Sequence, residues 1–518
     1  MSTGAREVYV ISDLHLGGTY PDPDTPGDRG FRMNTHADDI AAFIRSVSSN
    51  PAAEGPIELV INGDVIDFLA ENEGGSDPWS PFTADPELAA KKLSDIAGRD
   101  PQVFTALGDL LRNGHALTIC QGNHDIELGF PQVRQRLEEI LGVEGHHDFR
   151  LFYDGEAYVI GDALIEHGNR YDPFNVIDND GLRRYRSLLS RRQKIPKEYE
   201  FTPPAGSLMV STVVNPIKQD YAFVDLLKPE DSAMVPILLA LEPGYRKLIG
   251  QAAKVALKAS KHKMEEADLP SFGGDISSGK SSAADDLMAQ LGGGMGTLNP
   301  PKLPDLPKPK KPASAEDEAL NEVLSAVMGD EGSELVHELE EEETTNAGGI
   351  DGLGSDISAK ETFTRATSLF QIMMSRSGSA LDKRMKPLLR ALRTVQAGTA
   401  FDRSVEGSTS YLEAAESLAE NGDFKYVLFG HTHLAKDVDM KDGARYLNSG
   451  TWANLMRFPK QLVEGSDAEA MPKLREFVDD LKEGNLDPWI TFRPTYIHLT
   501  VGENDRITHA EVCDYTPG

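Results

Sequence analysis

The sequence from Val8 to Gly18 reads VYVISDLHLGG and joins a short apolar run to a pair of polar residues. Val8–Ile11 is rich in β-branched and aromatic residues, which predicts a buried β-strand. Asp13 and His15 follow two positions apart, and the two-residue period of an extended chain points both side chains to the same side. The stretch therefore predicts a strand that delivers a carboxylate and an imidazole to one target.

Four further segments end apolar runs with the same kinds of side chain. They are Asn62–Phe68 (NGDVIDF), Gln121–Asp125 (QGNHD), Ile165–Asp172 (IEHGNRYD) and Phe429–Ala435 (FGHTHLA). A lone histidine at a strand end is more often a hydrogen-bonded structural residue than a ligand, so each motif alone is a weak signal. The five together are specific, because a two-metal site needs carboxylate, imidazole and amide ligands, with glycines that let the backbone turn beside them.

The apolar runs predict a mixed α/β protein. The predicted strands are Val8–Ile11, Ile57–Ile61, Ala116–Cys120, Tyr158–Ile165, Tyr426–Phe429 and Tyr496–Val501. Helix-like spacing lies between some of them, at Thr35–Ser46 and Val133–Leu141. This alternation predicts stacked α and β layers.

A long insert interrupts the strand pattern from about Gly181 onward. Helical spacing of apolar residues recurs at Leu182–Gln193, Tyr245–His262, Thr362–Ser375 and Ala380–Gln396. Between these segments, Asp268–Asp356 is rich in glycine, proline and glutamate and cannot bury enough apolar surface to offset its chain entropy, which predicts disorder. One island within it, Ala315–Met328, is predicted to form a short helix.

These patterns divide the chain into five parts. We predict an α/β core from residues 1–180 and 421–518, a helical insert or cap from 181–265 and 359–420, and a low-complexity acidic linker from 266–358.

The formal net charge of −31 is unevenly distributed. Arg183–Lys263 carries 15 Lys or Arg against 7 Asp or Glu, and Glu361–Arg403 carries 8 against 3. A basic insert in an acidic protein suits an anionic substrate or an anionic membrane surface, and solvated helix faces are an equally good interpretation. Tyr245–Lys263 is a basic amphipathic segment, for which packing against protein is favoured over peripheral membrane contact.

The first apolar run is interrupted by Asp13 and His15, so it is neither a signal peptide nor a membrane span. The two cysteines, Cys120 and Cys513, are too few for a disulfide framework and suit a reducing compartment. We therefore expect a cytoplasmic location.

The ordered motifs D-x-H, G-D-x-x-D, G-N-H-D, H and G-H-x-H resemble those of the calcineurin-like metallophosphoesterase superfamily. The resemblance covers about Glu7–Asp172 and Phe424–Trp452, and it implies a four-layer α/β/β/α sandwich with two central mixed sheets. DLHLGG, HGNRYD and GHTH are similar to the bacterial branch that contains UDP-2,3-diacylglucosamine hydrolase. That enzyme typically has arginine where this chain has His124, and it lacks an insert of this length, so the resemblance supports the branch and not that reaction. Phe68-Leu69 stands where Ser/Thr protein phosphatases have Arg-Gly, which disfavours that class.

The resemblance also implies the roles of individual residues. It implies one divalent metal ion held by Asp13, His15, Asp64 and His433, and a second held by Asp64, Asn123, His167 and His431. A hydroxide bridging the metals would attack phosphorus. His124 would stabilise or protonate the leaving oxygen, with Asp67 fixing its ring and Asp125 in support.

Arg170 is predicted to bind a substrate phosphate. Manganese is the favoured metal because the ligand set is free of thiolate, and iron and zinc stay as alternatives.

The leading interpretation is an enzyme that hydrolyses a phosphodiester or pyrophosphate bond in a phosphorylated small-molecule or lipid-linked substrate. A phosphomonoesterase of the same superfamily stays open. A nuclease is less favoured, because strand binding calls for aromatic stacking platforms and only Tyr185, Tyr199 and Phe201 accompany the basic residues. A scaffold acting through the acidic linker is least favoured, since no ligand is missing. The oligomeric state is undetermined by the sequence.

Overall fold

The computed structural model describes residues 6–22, 24, 30–50, 55–74, 78–228, 234–267, 314–328, 332, 335, 369, 378–396, 400–502 and 504–517. The chain divides into two compact units. The first comprises Met1–Pro229, Gly398–Phe458 and Asn485–Gly518, and the second comprises Glu230–Ala397 and Pro459–Gly484. All predicted site residues belong to the first unit.

All described strands lie in the first unit. They are β1 (Arg6–Ile11), β2 (Glu58–Asn62), β3 (Ala116–Cys120), β4 (Phe149–Phe152), β5 (Tyr158–Ile160), β6 (Ala163–Ile165), β7 (Tyr426–Phe429), β8 (Lys436–Asp439), β9 (Arg445–Asn448), β10 (Leu455–Met456), β11 (Ile490–Thr491), β12 (Thr495–Val501) and β13 (Ile507–Asp514).

The described helices occur in both units. They are α1 (Ala37–Ser48), α2 (Pro86–Arg99), α3 (Pro101–Arg112), α4 (Pro131–Leu141), α5 (Asn179–Ser190), α6 (Ala205–Met209), α7 (Asn215–Lys218), α8 (Met234–Leu241), α9 (Arg246–Ala267), α10 (Ala315–Met328), α11 (Gly378–Val395), α12 (Thr409–Gly422), α13 (Lys460–Val463) and α14 (Asp467–Glu483). A π-helical turn, Val210–Val214, joins α6 to α7. Short 3₁₀ turns include Phe68–Ala70, Ile126–Gly129, Asn169–Tyr171 and Ala222–Leu226.

The described strands form two mixed sheets and a small ribbon. The first sheet has the order β13-β12-β1-β2-β3-β4, the second has the order β5-β6-β7-β9-β8, and β10 pairs with β11. β1, β2, β3 and β4 run parallel to one another, and so do β6, β7 and β9. Each sheet therefore has a set of parallel strands whose carboxyl ends lie on the same side of the sheet.

Alternating side chains of β1 enter two different cores. Val8 and Val10 lie in a cluster with Ile165 and Leu428 of the second sheet, which makes this the core between the sheets. Tyr9 and Ile11 lie in a cluster with residues of α1, α2, α3 and α4. Because both faces are covered, the strand is apolar throughout, as buried parallel strands are.

The outer face of the second sheet is covered by α12. Tyr411 and Ala415 of this helix share a buried cluster with Val427, Phe429 and Tyr446. The first unit therefore has the layers α1–α4, first sheet, second sheet and α12, which confirms the predicted four-layer α/β/β/α sandwich.

The second unit contains helices and no strands among its described residues. Every residue of α8 is buried, and α8 packs against α11 while α9 packs against α10. The apolar face of α9, including Ile249, Ala252 and Ala256, is buried, and Lys254 and Lys258 on other faces are exposed. No helix in the described part of the chain is both long and apolar enough to cross a membrane.

The local predictions mostly match these bounds. Ala116–Cys120, Tyr426–Phe429 and the island helix Ala315–Met328 coincide with β3, β7 and α10. The single strand predicted at Tyr158–Ile165 is wrong, because Ile160 pairs with Ala163 across a two-residue turn in which Gly161 has a φ of 59°. The sequence analysis missed β4, β8, β9, β10, β11 and β13, as well as α2, α3, α6, α7, α8, α12, α13 and α14.

Two predictions fall mainly on residues outside the described part of the chain. They are the helix at Thr362–Ser375, of which only Leu369 is described, and the disorder of the linker, which is described only at 266–267, 314–328, 332 and 335. The division into units also places residues 181–229 with the two sheets, whereas the five-part division of the chain stays a prediction.

Candidate metal centre

The predicted ligands all follow the carboxyl ends of parallel strands. Asp13 and His15 follow β1, Asp64 and Asp67 follow β2, and Asn123 to Asp125 follow β3; His167 follows β6, and His431 and His433 follow β7. The loops are joined by backbone hydrogen bonds, since His15 N–H donates to Asp64 O over 2.9 Å and Gly430 N–H donates to His167 O over 2.9 Å. The ends of both sheets thus supply one site.

The acidic and imidazole side chains form three overlapping buried groups. One consists of His15, Asp64 and His124, and the other two are the groups assigned to metal ions. Asp13, His15 and His433 have ligand atoms within 4.8 Å of one another, as do Asp64, His167 and His431. Asp64 Oδ2 lies 3.1 Å from His167 Nε2 in its own group and 3.8 Å from His15 Nε2 in the other group. This is the position that a bridging carboxylate requires.

Several polar atoms of the centre are buried without a hydrogen-bond partner. Two of them, Asn123 Oδ1 and His167 Nε2, belong to candidate ligands of one metal ion. Leaving such atoms unsatisfied costs about 1–3 kcal/mol each, and an amide oxygen and an imidazole nitrogen are atoms that divalent metals coordinate. The donor set therefore fits divalent metal ions.

The pKa values of two histidines favour the metal-binding form of the ring. Burial and the neighbouring imidazoles of His124 and His433 lower the pKa of His15 well below its ordinary value. Burial and the ammonium of Lys228 lower the pKa of His433 in the same way. Both rings are therefore neutral near pH 7, and neutral imidazole is the form that ligates metals.

The tautomer of His167 is set by the backbone. Its Nδ1 lies 2.8 Å from the carbonyl oxygen of Asn62, to which it donates. This leaves Nε2 facing Asp64 as the atom free for coordination, an arrangement common for metal-binding histidines. The carbonyl of Asn62 thus orients His167 without contacting the centre itself.

The backbone of the centre is held in an unusual conformation. Nine non-glycine residues in the described part of the chain have positive φ, and five are predicted ligands: Asp13 (54°), His15 (45°), Asp64 (50°), His431 (66°) and His433 (61°). Such conformations cost of order 1–3 kcal/mol each and persist where the surroundings enforce them. One enforcing contact is His431 N–H, which donates to both carboxylate oxygens of Asp13 over 3.1 Å.

Two glycines leave room for this packing. A Cβ atom on Gly63 would lie 2.2 Å from His167 Nδ1, and one on Gly122 would lie 2.1 Å from Asp64 Oδ1. Only a residue without a side chain allows the three loops to approach this closely.

His124 is paired with Asp67. Its Nδ1 lies 3.0 Å from Asp67 Oδ1, and its backbone N–H donates to Asp64 Oδ1 over 2.8 Å. Burial by itself lowers the pKa of His124, but the carboxylates of Asp67 and Asp64 outweigh burial and raise it to about 9. The ring is thus held as a cation beside the centre, as a general acid would be.

Asp125 and Arg170 occupy different surroundings. Asp125 accepts hydrogen bonds from Gly122 N–H over 2.6 Å and from Val65 N–H over 2.9 Å, so it joins the loops after β2 and β3. Arg170 lines a cleft together with His167, and its Nε lies 3.2 Å from Glu166 Oε2. A role for Arg170 in substrate binding stays a prediction.

The structure adds residues that the sequence analysis did not assign. Asp172 Oδ2 lies 3.1 Å from His431 Nε2; its place at the end of the IEHGNRYD motif was a signal that could have identified it. Lys228 of the insert is 1% exposed. Burial lowers the pKa of Lys228 to about 7, against the charges of Asp225, Asp13 and Asp64. No motif surrounds Lys228, so no sequence signal places it beside the centre.

Comparison with known proteins gives one family match. Residues 7–220 match the family described as calcineurin-like phosphoesterase. The matched part includes β1 to β6 and the ligands from Asp13 to His167, whereas His431 and His433 lie beyond it. No curated protein and no solved structure matches the chain.

Proposed function

We propose that this chain, a metal-dependent phosphoester hydrolase by virtue of its calcineurin-like phosphoesterase domain, hydrolyses a phosphodiester or pyrophosphate bond in a phosphorylated small molecule. The observation that carries the proposal is the place of Asp64 within 3.1 Å of His167 and 3.8 Å of His15, where it can serve two metal sites. One site would use Asp13, His15, Asp64 and His433, and the other Asp64, Asn123, His167 and His431.

Manganese is the metal we favour, with iron and zinc as alternatives. The ligand set is made of carboxylate, amide and imidazole groups. Cys120 is a buried residue of β3 and is not part of this ligand set. When bound, two such ions would supply an activated water and neutralise charge on the phosphoryl oxygens.

The residues of the chain then have distinct tasks. His124, held as a cation by Asp67, donates a proton to the leaving oxygen. Lys228 places a third basic group beside the centre and attracts the anionic phosphoryl group. Arg170 lies beside His167 in the adjoining cleft and would contact the substrate there.

Other substrates are less well supported. Tyr185 and Phe201 are 7% and 9% exposed and belong to the core, so they are poor stacking platforms for a nucleic acid strand. The apolar face of α9 is buried, which favours a dissolved substrate over one met at a membrane surface. A lipid-linked substrate stays an alternative within the proposal, and a cytoplasmic location is part of the proposal.

The test compares bis-p-nitrophenyl phosphate, a diester, with the corresponding monoester in the presence of manganese and of chelator. We expect manganese-dependent turnover with preference for the diester, and about two metal ions per chain by elemental analysis. Asp64→Asn is expected to lose both metal and turnover, whereas the exposed substitution Asp109→Asn serves as the matched control. Preference for the monoester would replace the proposal by a phosphomonoesterase, and full activity of Asp64→Asn would refute the assigned centre.

A further inference from the structure

A second cleft opens beside His433. We call it the arginine cleft, because its lining includes Arg403, Arg457 and Arg493 and, among the residues that the structure describes, no aspartate or glutamate. It lies wholly within the first unit. A ligand group in this cleft would therefore sit next to the candidate metal centre.

The side chains of the β10–β11 ribbon shape one wall of the cleft. Leu455 pairs with Thr491, and Arg457 and Arg493 each lie two positions further along the chain. Since side chains of extended chain alternate with a period of two, all four are expected on one face of the ribbon. All four line the arginine cleft, as this periodicity requires.

Two of the three arginines are uncompensated. Arg403 donates to both carboxylate oxygens of Asp514, over 2.5 Å and 3.2 Å. Arg457 and Arg493 are exposed, and neither has a carboxylate partner among the described residues. Arg457 instead has its guanidinium carbon 5.1 Å from the ring centroid of Phe401. Arg457 and Arg493 thus line the cleft as two cations without a carboxylate partner among the described residues, in a chain with a net charge of −31. Such a pair attracts anions.

Hydrogen bonds connect residues that line the cleft to the loops of the metal centre. Thr451 Oγ1 donates to the carbonyl oxygen of Asp13 over 2.8 Å, and Thr495 Oγ1 donates to Ser449 O over 2.5 Å. Asp13 and His433 are both proposed ligands of the same metal. The cleft therefore adjoins the proposed metal site, through His433 in its lining and through the hydrogen bond from Thr451 to Asp13.

We propose that the arginine cleft binds a second phosphate group of the substrate, so that the enzyme selects phosphodiesters or pyrophosphates carrying a further phosphate. The selection among substrates rests on the proposed function, whereas the binding of a phosphate group in the arginine cleft does not. Guanidinium groups form paired, charge-assisted hydrogen bonds with phosphate oxygens. Two uncompensated guanidinium charges also match the charge of a phosphate dianion.

The test uses two probes that differ in one remote phosphate: thymidine 5′-(p-nitrophenyl phosphate), and the same compound with a 3′-phosphate. For the wild type we expect the KM of the phosphate-bearing probe to be lower by about tenfold, a factor typical of one added charge-assisted contact. In Arg457→Gln/Arg493→Gln the ratio of the two KM values is expected to fall to about one. Arg136→Gln/Arg183→Gln removes the same charge from exposed helix positions and is expected to keep the ratio. Equal KM values in the wild type, or an unchanged ratio in Arg457→Gln/Arg493→Gln, overturn the proposal.

A binding measurement separates this inference from the proposed function. Thymidine 3′,5′-bisphosphate is expected to raise the Tm of the wild type more than thymidine 5′-phosphate does, and the difference is expected to vanish in Arg457→Gln/Arg493→Gln. If neither probe is hydrolysed, the proposed function fails while this difference still supports the cleft. If the two nucleotides stabilise the wild type equally, or the variant keeps the difference, the inference about the cleft is wrong.

Discussion

The pair formed by His124 and Asp67 leads to a prediction about pH. The two side chains are 3.0 Å apart, and the carboxylates of Asp67 and Asp64 hold the pKa of His124 at about 9 against the effect of burial. Asp67→Asn keeps an oxygen that accepts the hydrogen bond from Nδ1 but removes one of the negative charges. We therefore expect the ring to stay in place while the pKa of His124 falls toward its ordinary value of 6.5.

The expected magnitude follows from the protonated fraction of His124. At about pH 8, a pKa of about 9 keeps roughly nine-tenths of the rings protonated, and a pKa of about 6.5 keeps roughly 3%, a difference of about thirtyfold. At about pH 6 the two fractions differ by less than about twofold. In the wild type, His124 loses its proton as pH rises through about 9. In Asp67→Asn it should lose the proton at a lower pH, so the descending limb of the kcat profile should move to lower pH. Positive charge from bound metal ions would lower the pKa of His124 in both proteins. The quantity to measure is therefore the difference in pH between the descending limbs of the wild type and of Asp67→Asn.

The assay records kcat against pH for a phenyl ester, whose leaving group needs protonation, and for a p-nitrophenyl ester, whose leaving group does not. The pH-dependent defect of Asp67→Asn should appear with the phenyl ester and be small with the p-nitrophenyl ester. Asp109→Asn, an exposed substitution on α3, should match the wild type with both. Profiles of wild type and Asp67→Asn that have the same shape with the phenyl ester would refute the role assigned to His124.

Three further predictions concern the neighbourhood of the centre. Burial raises the pKa of Glu127 to about 7 from 4.5. Its protonated form therefore stabilises the folded state fully below about pH 4.5, and this contribution is lost as pH rises through about 7. The free energy of unfolding should fall by about 3 kcal/mol over this range. Glu127→Gln should remove that loss in urea titrations at about pH 5 and pH 8, and an equal pH dependence in both proteins would contradict this. Gly122→Ala should abolish metal binding and lower turnover at least about 100-fold, because its Cβ would lie 2.1 Å from Asp64 Oδ1, whereas Gly98→Ala, with open space around it, should bind metal normally. Lys228→Met should lower kcat/KM about tenfold with metal content unchanged by elemental analysis, and an unaltered kcat/KM would rule out its proposed contact with the phosphoryl group.

The sequence by itself indicated several of the local elements and the candidate ligands. An apolar run of β-branched residues followed by Asp, Asn or His has the same meaning wherever it stands, because strand propensity and side-chain chemistry are properties of a few neighbouring residues. For this reason β3, β7 and α10 were predicted with their observed bounds. The four-layer fold came from the resemblance of the ordered motifs to a known superfamily, and the two sheets confirm it.

Only the tertiary structure decided which side chains meet. Asp13 and His433 are 3.3 Å apart, although more than 400 positions separate them in the sequence, and their meeting depends on strand order in two sheets. Lys228 lies in a basic insert with several other lysines, and its place beside the centre follows from how that segment packs. Arg457 and Arg493 line one cleft because β10 pairs with β11. Neither residue belongs to a motif that the sequence analysis identified. Local patterns specify the chemistry that each segment brings, whereas distances between remote segments depend on packing and register, which no short stretch encodes.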